Sequence, residues 1–84
     1  MKGKTSTGFE FDIPEENFDM EFLDALAELP ENPAKLSTMV NMIFAGTDGK
    51  KRLYDHVRTE TGKVPPDAIA SEISEIFNSM PKNS

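Results

Sequence analysis

The sequence predicts a mostly α-helical fold: a small N-terminal β-hairpin packed on about four short helices, with an all-α chain as the alternative. Three observations carry that prediction. Phe9, Phe11 and Ile13 alternate with Glu10 and Asp12, the period-two pattern of a half-buried strand. Further along, apolar residues recur three and four positions apart, as on one face of a helix. Pro30, Pro33, Gly46, Gly62, Pro65 and Pro66 cut that periodic region into short pieces. The 84 residues are too few for two cores, so one domain is expected: hairpin over 1–14, helices over 17–80, and a frayed tail over 81–84.

In the hairpin, Ser6-Thr7-Gly8 supplies the turn, Lys2 to Thr5 the partner strand, and Pro14 the stop. Asp19, or Asn17, is placed to cap a first helix running to about Leu29, with Phe22, Leu23, Leu26 and Leu29 as its apolar stripe. The prolines of Pro30-Glu31-Asn32-Pro33 end it. A second helix, roughly Pro33 to Ala45, turns Leu36, Met39, Val40, Ile43 and Phe44 inward and closes at Gly46. The third begins after Thr47 or Asp48, faces Leu53 and Val57 inward with Tyr54 at the edge, and is expected to cap at Gly62. Lys63 to Pro66 then reads as extended, because proline disfavours helix in the residue before it. Asp67 opens a fourth helix, with Ile69, Ile73, Ile76, Phe77 and Met80 as its stripe and Glu72 and Glu75 off it.

Charge and composition narrow the chemistry. The net charge is −6, and between Thr5 and Ala34 there is no Lys or Arg, while nine residues from Glu10 to Glu31 are acidic. Such a surface repels phosphate, so nucleic acid is not an expected partner. Lys50, Lys51 and Arg52 oppose the dipole at the start of the third helix, so plain solvation or a match with the acidic end of the chain, of a second subunit or of a partner is expected. There is no cysteine, which fits a reducing compartment. The N-terminal lysines precede no apolar run, and no segment is apolar enough to span a bilayer, so neither a signal peptide nor a membrane partner is expected.

Tyr54, Asp55, His56, Arg58 and Glu60 crowd into one short stretch, as if a reaction centre were assembled there. Adjacent helical residues point about 100° apart, however, and the chain has no nucleophile motif to pair with its single histidine. Thr47-Asp48-Gly49-Lys50 starts like a calcium loop but places cations where oxygen ligands belong. No catalytic residue, metal or cofactor is expected. The better candidates for function are apolar residues outside the inward stripes, namely Met20, Met42 and Tyr54, because methionine and aromatic side chains suit partner surfaces.

Nearly the whole chain resembles the short tail assembly chaperones of long-tailed, siphovirus-type phages and prophages of Gram-positive bacteria. The resemblance rests on GFEFDIPEE, the acidic FLDALAEL with its NP break, the middle helix ending before a glycine, KRLYDHVRTETGKVPPDAIASEISEIF and the final KNS. Met80-Pro81 departs from it, since the last helix would be expected to run further. The resemblance implies a non-enzymatic protein that acts in the host bacterial cytoplasm and is absent from the mature virion. It implies binding to the tape measure protein and to tail tube protein subunits, and is compatible with a homo-oligomer. It also implies a longer frameshifted form, with which Lys82-Asn83 is compatible if the gene reads A AAA AAC there. A regulatory protein-binding adaptor and a structural tail or head-joining protein are the alternatives.

Overall fold

A computed structural model describes residues 1–79 and is mostly α with a small N-terminal hairpin. Strands β1 (Lys2–Lys4) and β2 (Glu10–Asp12) pair antiparallel, Gly3 opposite Phe11. Gly8 N–H donates to Thr5 O at 3.0 Å and Gly8 adopts a φ of +92°, open to glycine without a Cβ clash. That reversal matches the twist of the strands and leaves Phe9, Phe11 and Ile13 buried on one face.

After a single 3-10 turn over Glu15–Asn17 come α1 (Met20–Glu28), α2 (Lys35–Ile43), α3 (Gly49–Val57) and α4 (Pro66–Asn78). Of the two candidate caps, Asp19 starts α1: its carboxylate accepts from Phe22 N–H at 3.0 Å. Asn17 instead donates its amide to Ile43 O at 2.7 Å and Ala45 O at 3.1 Å, bonding carbonyls at the end of α2 that lack helical partners. Lys35 pairs with Glu28 across the connection at 3.1 Å. With one tie at each end, α1 and α2 run antiparallel. Pro66 takes the first helical position of α4, where its missing N–H costs nothing, so that helix starts just before Asp67.

The core gathers Phe22, Met39, Val40, Ile43, Leu53 and Ile76 with the three hairpin residues. Burying each of these large side chains contributes about 1.5–3 kcal/mol.

Several expectations change. Helix α2 is shorter than Pro33 to Ala45, spanning Lys35–Ile43. Gly62 does not cap α3, which stops at Val57; Thr59 N–H donates to Lys63 O and Gly62 N–H to Thr59 O, so Gly62 belongs to a separate turn. Leu23 is 43% exposed, because α1 packs on α2 through Phe22 and Ala25 and, among the described residues, none covers its other flank. Glu72 is buried, 2% exposed, because the hairpin turn lies over that side of α4. Met80, the tail 81–84 and the Lys82-Asn83 pair lie outside the described residues.

Candidate functional site

Tyr54 sits half-buried on α3 and forms one wall of an apolar groove of about 240 Å³. Pro33, Leu36 and Val40 form a second wall, from the α1–α2 connection and α2; Val64, Pro66 and Ile69 close the third. The extended segment imposed by Pro65 and Pro66 keeps Val64 beside the groove rather than in a helix. Lys50 Nζ lies 5.6 Å from the Tyr54 ring centroid and donates to Asn41 Oδ1 at 2.8 Å, so the ring is held between a cation and the packed face of α2. The volume falls below the roughly 300–1,000 Å³ of small-molecule sites. It suits one large apolar side chain presented by another protein.

The other two residues singled out from the sequence do not line this groove. Met20 is 68% exposed at the start of α1, a free apolar side chain as expected. Met42 is half-buried and packs against the core, so it offers less surface than its place outside the stripe suggested. The antiparallel α1–α2 pair puts Met20 and Met42 at the same end, next to the Asn17 tie.

A second constellation lies where the hairpin turn meets α3 and α4. Thr5 Oγ1 donates to Glu72 Oε1 at 2.8 Å and Thr7 Oγ1 donates to Glu72 Oε2 at 2.9 Å. One turn along α4, Glu75 accepts from Ser6 N–H and Ser6 Oγ, both at 2.8 Å. His56 Nε2 is 3.0 Å from Thr7 Oγ1. Which of the two donates depends on the imidazole tautomer. The cluster latches the hairpin to α4. Sequence inspection missed it, although three consecutive hydroxyl residues, Thr5 to Thr7, running from the predicted strand into the predicted turn were the available signal.

The crowded stretch on α3 does not converge either. Tyr54 faces the groove, His56 reaches the hairpin, and Asp55 pairs with Arg58 at 3.2 Å and Lys51 at 3.9 Å. Arg52 donates to Glu10 O at 2.8 Å and lies over the Phe9 ring. None of the α3 cations therefore meets the acidic α1, contrary to an intrachain match between the two. Among the described residues, no three His, Cys, Asp or Glu side chains are grouped to hold a metal ion, and no helix is long and apolar enough to cross a membrane. No protein-family model matches the chain, and no curated protein or solved structure matches it.

Proposed function

We propose that the chain is a non-enzymatic tail assembly chaperone of a long-tailed phage or prophage of Gram-positive bacteria, binding the tape measure protein while tail tube subunits assemble around it. The sequence resemblance supplies the identity of the partners. The observation that carries a binding role is the Tyr54 groove, a pre-formed apolar recess on a small helical domain. A tape measure protein is expected to be long and largely helical, and one apolar side chain per helical repeat would fill such a recess. On this account several copies coat the tape measure protein in the bacterial cytoplasm, keep it soluble, and leave before the virion is complete.

The test is co-expression with the tape measure and tube proteins encoded beside this gene, followed by affinity capture and a solubility assay. The tape measure protein should stay soluble and co-purify, and Tyr54→Ala should reduce the captured amount severalfold while the fold persists. If the tape measure protein precipitates as it does alone and nothing co-purifies, the proposal fails. Recovery of the chain in purified virions would point instead to a structural tail or head-joining protein.

A further inference from the structure

Helix α1 is apolar over far more of its circumference than its packing uses. At about 100° per residue, the arc from Ala25 through Leu29, Phe22, Leu26, Leu23 and Ala27 to Met20 covers about 220°, whereas a surface helix needs a stripe little more than ~100° wide. Phe22 and Ala25 are buried, and Leu26 and Leu29 are half-buried against the core. The remaining row of Met20, Leu23 and Ala27 is exposed, and among the described residues Met20 and Leu23 are the large hydrophobic side chains most open to solvent. Directly beside that row run Asp24, Glu28 and Glu21. Among the described residues Glu28 pairs with Lys35, while Glu21 and Asp24 make no ion pair.

We infer that this face of α1 is a second docking surface, separate from the Tyr54 groove, and that its occupant is a basic amphipathic helix of another protein. The apolar row supplies the buried strip, and the acidic row meets a parallel row of Lys or Arg on the partner. Charge complementarity selects that occupant over an acidic helix, which would bring like charges together along the seam, and over a neutral one, which would leave the acidic row without countercharge. The chain's own cationic helix does not meet the requirement. In α3 Leu53 is buried, Val57 and Tyr54 are half-buried, and Arg52 is engaged with Glu10, so no free apolar row accompanies its cations.

The surface is tested with the full chain and two fluorescein-labelled helical probes of about 18 residues, enough for roughly five turns. Both carry the same leucine stripe; one has Lys and the other Glu on its flanks. Fluorescence anisotropy should show saturable binding of the Lys probe, at least tenfold weaker at about 300 mM than at about 50 mM salt because the contacts are exposed ion pairs. The Glu probe should not bind. Leu23→Ser, Met20→Ser and Asp24→Lys should each weaken the Lys probe about fivefold or more, with unchanged circular dichroism, whereas Tyr54→Ala should leave it unaffected. Failure of the Lys probe to bind, equal binding to the Leu23→Ser chain, or loss of binding only in Tyr54→Ala would overturn the assignment. So would self-association of the wild-type chain in sedimentation that Leu23→Ser abolishes, since a second copy would then own the face. The probes contain no phage sequence, so this result and that of the tape measure experiment stand or fall separately.

Discussion

Replacing Glu72 examines the latch between hairpin and helix most directly. A domain of 84 residues, at ~0.05–0.15 kcal/mol per residue, has a total stability of about 4–13 kcal/mol. Glu72→Ala removes the acceptor of two hydroxyl bonds, from Thr5 at 2.8 Å and Thr7 at 2.9 Å. Hydrogen bonds to a charged group contribute about 1.5–3 kcal/mol each. The two threonine oxygens are 3.1 Å apart and can bond each other once the carboxylate is gone, so the expected loss is about 2–4 kcal/mol rather than the full sum. Glu72→Gln should cost only about 1 kcal/mol. Its oxygen still accepts from Thr5, its amide can donate to Thr7, and the freed Thr7 proton can turn to Thr5. The assay is urea unfolding followed by far-ultraviolet circular dichroism, arranged as a double-mutant cycle with Thr5→Val. The bond from Phe9 N–H to Thr5 Oγ1 is lost in both arms that carry Thr5→Val, so it drops out of the coupling. A coupling of about 1–2 kcal/mol is expected; a cycle additive within about 0.5 kcal/mol, or a Glu72→Ala chain as stable as wild type, would refute the latch.

Two further substitutions set competing effects against each other. Gly49→Ala places a better helix former in the first turn of α3, a gain of up to ~1 kcal/mol, but its Cβ would lie 2.7 Å from Cε1 of the buried Phe44 ring. Overpacking of that kind costs about 1–3 kcal/mol, so the midpoint of thermal unfolding should fall by several degrees, and a rise would contradict the packing described. Asn17→Ala should lower stability by about 1–2 kcal/mol through loss of its two bonds to the end of α2. Asn17→Asp, of the same shape but aiming a carboxylate at carbonyl oxygens and the negative end of the α2 dipole, should be worse still in urea unfolding. Equal stability of the two Asn17 variants would mean that the amide ties nothing.

What could be seen in the sequence was local: the alternation of Phe9, Phe11 and Ile13, the helical stripes, the Asp19 cap and the breaks at Pro30 and Gly46. Each is decided within a few residues by backbone geometry and side-chain period. What could not be seen depended on which neighbour arrives. Leu23 and Leu26 belong to the same sequence stripe, and only the placement of α2 leaves one exposed and draws the other toward the core. Glu72 looks like a surface residue until a turn from the other end of the chain covers it with hydroxyls. The Tyr54 groove was half visible, because an edge position can be read from spacing but its opposite wall, Val64 and Pro66, belongs to a connector without periodicity.

The latch also sets an order of events during synthesis. Thr5 and Glu72 are 67 positions apart, so at ~5–20 residues per second the ribosome adds the second partner about 3–13 s after the first. A hairpin closes in microseconds, yet an isolated two-stranded one is marginal in water. Phe9 meets Phe44, Arg52 and His56, so its cover comes with the residues up to α3, but the hairpin turn stays unfastened until α4 is made. Nascent chains that stall before Glu72 would carry an unfastened, aromatic-rich strand, and these are the species on which a cellular holdase would be found.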